Sequence, residues 1–365
     1  MKSNRLKYHQ HLRVVWAITW KDILDGWKNK NILANLVVVT LMIVFYKTLP
    51  SWEHNIEVPN VLVYDAGKSS LVVALEDSTA VTLYQYDSHQ EMERILAKGD
   101  IPELGLVIPA DFDKSLEARE AVELDGYVVH WVSEEAAEEL KQMAEAEITI
   151  LAGKGVRVNL EGNKVYTQAD STGLAFLASI SIIFSVAMVG LLVTPHLMIE
   201  EKRAKTIDAL LVSPASISQV VVGKALAGLF YVIVAASVVF ALNWPGVVHW
   251  EMVPLFMLGI GMFSVGVGLV LGSFFERQQD VVVLTMLLIV VFVAALFVSM
   301  LGLDIPMVIQ GILPWVPSVA LAEILRFVFL ETIPWEKALL KLGSVLAISA
   351  LLCALVVLKV RRSDR

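Results

Sequence analysis

A single cysteine, Cys353, occurs in 365 residues, so no disulfide can form within the chain, and a packing role inside the last apolar run is what remains for it. Charge is also scarce. Only 18% of residues are Asp, Glu, Lys or Arg, while 56% are hydrophobic; a soluble domain carries about 25% charged residues. With a mean hydropathy of +0.67, a soluble single-core protein is excluded. Ionisable residues are nearly missing from the long apolar runs themselves, Lys224 standing near the end of one and Asp304 at an edge. Charge at bilayer depth is costly and is kept mainly for function. Its scarcity argues against an ion-coupled secondary transporter and against acid–base, nucleophilic or metal chemistry within a membrane. No catalytic residue, metal site or nucleic-acid partner is expected. A cleavable leader is not expected either, because some thirty residues of mixed charge precede the first apolar run.

What is present is six apolar runs of about twenty residues, the length that crosses a hydrocarbon core of about 30 Å. They are Asn31–Leu49, Thr172–Val193, Val220–Leu242, Met252–Phe275, Val281–Leu303 and Leu342–Val360. Lys2, Arg5, Lys7, Arg13, Lys21, Lys28 and Lys30 precede the first run, Lys202, Arg203 and Lys205 follow the second, and Lys359, Arg361, Arg362 and Arg365 end the chain. With six spans these three basic groups share one side, the cytoplasm, and the connection Asn243–Glu251, without Lys or Arg, lies on the other. The insertion between the first two spans is acidic. From Lys47 to Asp170 it holds 24 acidic and 10 basic residues, a net of −14 against −8 for the whole chain, which leaves +6 elsewhere.

The expected fold is therefore a polytopic α-helical membrane protein with six transmembrane helices and an α/β extracytoplasmic domain between spans 1 and 2. Its divisions are a cytoplasmic N-terminus (1–30), span 1 (31–49), the domain (50–170) and spans 2 to 6 (171–365). In the N-terminus, Leu12, Trp16, Trp20, Ile23 and Trp27 fall within about 80° of one another on a helical wheel, with Lys21, Asp22, Asp25 and Lys28 opposite. The pattern is that of an interfacial helix anchored by Trp16, Trp20 and Trp27 at headgroup depth; packing on a soluble partner is the alternative.

Within the insertion, strands are expected at Val58–Tyr64, Ala80–Tyr86, Leu104–Ile108 and Val122–Val132, and helices at Ser69–Glu76, Ser88–Lys98 and Ser133–Ala152. Ser133 suits the N-cap of the last helix, and the acidic cluster Glu134, Glu135, Glu138 and Glu139 reads as a solvated face rather than a cation site. Between spans 5 and 6, prolines 306, 314, 317 and 334 bracket a half-polar helix, Ser318–Leu330, within a re-entrant or outer segment 314–332; Glu323 and Arg326 are placed to pair there. In span 4, Gly261, Gly268 and Gly272 belong to ladders of small residues that permit close helix contact, within the chain or at a dimer seam.

The most informative stretch is EEKRAKTIDALLVSPASISQVVVGK, Glu200–Lys224. It is expected to form an amphipathic coupling helix over 197–214, with Ile207, Leu210 and Leu211 on one side, to stop near Pro214, and to re-enter the bilayer. Charges presented at the membrane surface on a segment rigidly joined to two spans make a lever. The stretch resembles the signature of permeases of the type-2 ABC exporter family: a Glu-rich start (Glu200, Glu201), a Thr (Thr206), a Leu pair (Leu210, Leu211), Ser-Pro (Ser213, Pro214) and Gly-Lys (Gly223, Lys224). VLVYDAGKSS (61–70) and LGLVIPADFDKSL (104–116) look like two recurring segments of the subgroup with a large domain after span 1. Where relatives commonly have Arg-Gly before the Thr, this chain has Ala204 and Lys205.

The resemblance implies a permease of a prokaryotic cytoplasmic membrane, paired with a second copy or paralogue and docking a separate ATP-binding subunit. The contact residues would be Glu200, Glu201, Lys202, Arg203, Lys205, Thr206, Asp208, Leu210, Leu211 and Pro214. ATP and magnesium would be bound by that subunit, because Gly67-Lys68 and Gly223-Lys224 lack the earlier glycine of a phosphate-cradling loop, positions 62 and 218 being Leu62 and Ser218. An amphipathic or lipid-like cargo, such as a drug, lipid or lipopeptide, suits the apolar spans. The competing class is a membrane-anchored receptor or assembly protein, which has no use for such a lever. His196, beside Pro195, reads as structural.

Overall fold

The computed structural model describes residues 2–30, 32–34, 36–38, 40, 41, 44, 58–99, 101–118, 122–166, 174–203, 216–242, 247–300 and 306–363. In hydrocarbon every backbone N–H and C=O needs a partner within the protein, so long apolar runs become helices. Five described helices are long and apolar enough to cross a bilayer: Ser179–Glu200 within α6 (Leu174–Arg203), Ser218–Leu242 within α7 (Ile217–Leu242), α8 (Met252–Phe274), Gln278–Ser299 within α9 (Gln278–Met300), and Trp335–Val360 within α12 (Trp335–Ser363). The last begins seven residues ahead of the expected start at Leu342. Of the expected first span, only residues 32–34, 36–38, 40, 41 and 44 are described, all helical.

The expected half-polar helix is α11 (Pro317–Arg326), preceded by α10 (Met307–Ile312) and a 3-10 turn, Leu313–Trp315. The two helical pieces meet at 64°, so they make a broken span or a re-entrant loop. The break follows from Pro317, which holds Val316 extended at φ −62°, ψ 128°. Glu323 of α11 receives Lys341 of α12 at 3.0 Å, and the Lys341 ammonium also donates to Pro314 O and lies over the Trp315 ring. This long-range partner was not the one expected for Glu323.

Helix α8 lies at the centre, packed against α6, α7, α11 and α12. The apolar windows of α6 and α8 are 78% and 72% buried within the chain, whereas those of α9 and α12 are only 22% and 17% buried. The rows Val283, Leu287, Val290 and Leu351, Leu355, Leu358 therefore need an apolar environment from outside the chain. Close approach is permitted by glycine. A Cβ on Gly268 would lie 2.7 Å from Gly190 O and 2.9 Å from Thr194 Cβ, and one on Gly272 would lie 2.7 Å from Met198 Cβ; Gly261 meets Leu229. All three glycines thus face α6 or α7 of the same chain.

The insertion is an α/β sheet. Strands β1 (Asn60–Asp65), β2 (Thr82–Tyr86), β3 (Leu104–Ile108), β4 (Val122–Val129), β5 (Val156–Asn159) and β6 (Lys164–Val165) form the order β2-β1-β3-β4-β5, with β6 also on β4. The first three are parallel, joined by crossovers through α2 (Ser70–Glu76) and α3 (His89–Leu96); β4 runs antiparallel to β3. Alternation in β1 explains the two layers. Val61 and Val63 face α2, α4 (Phe112–Glu117) and α5 (Glu134–Ala152), while Leu62 faces Met92 and Leu96 of α3.

Ser88 and Ser133 each accept an N-cap hydrogen bond, and Gly153 ends α5 at φ 67°. The short β5, β6 and α4 have too few residues to show a period and were not expected. Met92 is fully buried between α3 and the sheet, so Met92→Ala is expected to cost about 2–5 kcal/mol of domain stability, read as faster limited proteolysis of the domain in the full-length chain.

Candidate functional site

The expected lever is bounded by the end of α6 and the start of α7. Glu200 is exposed on the last turns of α6; Glu201, Lys202 and Arg203 complete that helix. Lys205, Thr206, Asp208, Leu210, Leu211 and Pro214 lie outside the described residues. On the far side, α7 starts with a capping box. Ser216 N donates to Gln219 Oε1 at 2.7 Å, and Gln219 N donates back to Ser216 Oγ at 3.4 Å. The S-x-x-Q spacing is the signal in the sequence that could have found it.

Sequence reasoning also missed what holds both ends. Helix α1 (Lys2–Lys28) lies along the first half of α7. His11 Nδ1 bonds the Gln219 amide of the capping box, and the Thr19 hydroxyl is within 3.1 Å of Gly223 O. The Tyr231 hydroxyl donates to Ile23 O at 2.6 Å. The helices touch through their glycines: a Cβ at Gly223 would fall 2.8 Å from Ile18 Cγ2, and Gly26 abuts the Tyr231 ring.

Between them sits a buried ion pair. Lys224, 0% exposed, donates to Asp22 Oδ2 at 3.2 Å and to Leu197 O of α6 at 3.0 Å. Lys224 does lie near the end of its span, but buried, and Asp22, expected on the polar side of α1, is interior as well. The Asp22 side is the packed side because Ile18, Thr19, Asp22, Ile23 and Gly26 recur at three- and four-residue spacing toward α7.

One turn further, α1 reaches the other arm of the hairpin. Asn29 Nδ2 lies 2.8 Å from His196 Nε2 and donates to Glu200 Oε1 at 3.2 Å. His196 is also 3.8 Å from Glu200 Oε2. His196 therefore belongs to the joint between α1 and α6. Pro195 lacks the N–H that would continue the α6 ladder, so the helix is weakest one residue ahead of these contacts.

The outer face of α1 is apolar and, among the described residues, largely exposed. Leu12, Trp16, Trp20, Leu24 and Trp27 are 41–63% exposed, and Trp16 stacks on Trp20 at 6.3 Å. Through these bonds α1, the end of α6 and the start of α7 form one connected unit.

The model of the ABC-2 family transporter proteins matches residues 32–358. The chain belongs to the ABC-2 transporter family. It is thus a multi-pass membrane component of a transporter, as the signature in Glu200–Lys224 and the five described spans lead one to expect. No curated protein matches the sequence. In this ABC-2 chain Gly223 lies inside α7 against Ile18, so the Gly223-Lys224 pair is a helix–helix contact and a buried ion pair and forms no phosphate-cradling loop.

Proposed function

We propose that this ABC-2 chain is the permease subunit of an ATP-driven exporter, moving an amphipathic or lipid-like substrate outward by force from a separate ATP-binding subunit. The observation that carries the reading is the joint: both arms of the α6–α7 hairpin are bonded to α1 through Asp22–Lys224 and Asn29–His196–Glu200. A receptor that only anchors a domain has no need of a charged, cross-braced segment at one end of its bundle.

In this reading the ATP-binding subunit docks on 197–214 at the cytoplasmic surface, both termini are cytoplasmic, and the α/β domain is extracytoplasmic. Trp16, Trp20 and Trp27 rest in the headgroup layer of a prokaryotic cytoplasmic membrane. The sparsely buried α9 and α12 face lipid or a second permease copy. ATP and magnesium are held by the partner subunit.

Co-expression with a neighbouring ATP-binding cassette subunit tests the reading. A stable complex whose ATP hydrolysis rises in the presence of the permease is expected. Reversing Glu201 and Arg203 together (E201R/R203E) should cut that stimulation by about tenfold, roughly 1.4 kcal/mol of coupling, with the bundle still folded. Unchanged stimulation would remove the docking role from these residues.

A further inference from the structure

A second site lies at the opposite end of the described bundle from α1. The turn after α11, Leu330–Thr332, and the α/β domain enclose a cleft of about 660 Å³, within the range of ligand sites. The domain supplies α3, through Glu93 and Arg94, and the β4 and β6 region, through Tyr127, Lys164 and Tyr166; the bundle supplies Glu331.

These walls are set rather than loose. Tyr127 meets the His89 ring edge-on at 4.9 Å, His89 is 3.4 Å from Glu93, and Tyr166 stacks on His130 at 5.3 Å. His130 N donates to Val165 O, which pins the short strand β6 immediately before Tyr166. The Glu331 turn is tied to the start of α8, where His249 Nε2 lies 3.1 Å from Glu331 O. Burial first, then the carboxylates Asp125 and Glu93, raise the Tyr127 phenol above its ordinary value, so it stays a protonated donor with an intact π face.

Two features select the ligand. The cleft offers both signs of charge. Arg94 and Lys164 are exposed cations without an acidic partner among the described residues, and Glu93 and Glu331 oppose them beside two tyrosines. A guanidinium and an ammonium suit a phosphate, whereas carboxylates and tyrosine faces suit an alkylammonium. The level is that of a membrane surface. Trp335, 46% exposed, opens α12 four residues after Glu331, and Trp250, 38% exposed, stands two residues ahead of α8; tryptophans at span ends mark the headgroup layer.

We propose that this cleft binds the zwitterionic headgroup, phosphate plus ammonium, of an amphiphile standing in the adjacent leaflet. Its use in export rests on the function proposed above; the binding does not, and can be measured on the permease chain without any ATP-binding subunit.

The test uses the full chain in a non-ionic detergent and a short-chain phosphatidylcholine below its micelle concentration, with phosphatidylglycerol of equal chain length as the anionic comparison. Calorimetric titration is expected to show saturable binding of the zwitterionic lipid, at least tenfold tighter than of the anionic one. The exposed double variant R94E/K164E should weaken it tenfold or more. Glu331→Gln should weaken the zwitterionic lipid several-fold and leave the anionic lipid unchanged, a split that mere loosening of the turn does not produce. Competition by free phosphocholine assigns recognition to the headgroup alone, and binding confined to the lipid assigns it to a bilayer molecule. Equal affinity for both lipids, or R94E/K164E binding as wild type does, overturns the proposal. A chain that binds the lipid yet recruits no ATPase would sink only the exporter reading.

Discussion

Replacing Lys224 with methionine is expected to lower the stability of the folded chain by about 3–5 kcal/mol, the usual cost of removing one member of a buried ion pair. The substitution takes the ammonium away from Asp22 and from Leu197 O while leaving the carboxylate in an interior where the lysine was 0% exposed. The double variant D22L/K224M is expected to recover most of that loss, because an apolar pair of similar volume pays no desolvation cost. Denaturant unfolding in detergent, followed by tryptophan fluorescence, reads both, since Trp16, Trp20 and Trp27 share α1 with Asp22. If the single variant unfolds no more easily than the double, the buried pair is not what holds α1 to α7. The same variants separate stability from transmission. D22L/K224M keeps the apolar and glycine contacts but loses the Lys224 bond to Leu197 O of α6, so, if the proposed function holds, its ATPase stimulation should stay below that of the wild-type chain.

The second large effect is at the α6–α8 seam. Gly268→Leu is expected to destabilise the bundle by more than the roughly 1–3 kcal/mol typical of overpacking, because the space a side chain needs is filled by the Gly190 carbonyl, Thr194 and Pro195. A backbone carbonyl cannot rotate away, so the helices must separate. Gly343→Ala in α12 is the matched control. Nothing lies within 4 Å of its added Cβ, and removing a helical glycine should stabilise by about 0.5–1 kcal/mol. Monodisperse yield and unfolding midpoint distinguish the two; equal behaviour would mean that α6 and α8 are not in contact at this seam.

Much of the fold was legible because the signals are periodic and long. The spans from 172 onward announce themselves by length and apolarity, and β1, β2, β3 and α3 appear within two residues of where alternation and capping place them. Ser133 as N-cap needed only its own position and the acidic turn after it. The elements that escaped, β5, β6 and α4, are two to six residues long and take their structure from neighbours rather than from a local period. The break at Val316 was half legible: the prolines marked it, but the 64° angle depends on what α11 packs against.

The candidate site divides in the same way. The segment proposed to couple to an ATP-binding subunit was visible in the sequence as a charged interruption between two apolar runs, with a family signature on it. Its bracing was not. Asp22 and Lys224 are 202 positions apart, and Asn29 and His196 are 167 apart, so no spacing rule can pair them. On a helical wheel the tryptophan stripe of α1 looked like its one meaningful face, because hydrophobicity dominates that picture. The face that packs against α7 is built of Ile18, Thr19, Asp22 and Gly26, a mixture too polar and too small to stand out.

By itself, the sequence determined that this chain lives in a bilayer, where its helices run, that an acidic α/β domain is inserted, and which segment bears the ABC-2 signature. These follow from composition and short-range pattern, which act along the chain. The tertiary structure alone decided which charges are buried and with what partner, that the span-4 glycines meet α6 and α7, and that the α1 end of the chain is bonded to both the end of α6 and the start of α7. Those depend on close approach between residues remote in sequence, where a missing Cβ or a partnered ammonium has meaning only once the facing surface is in place.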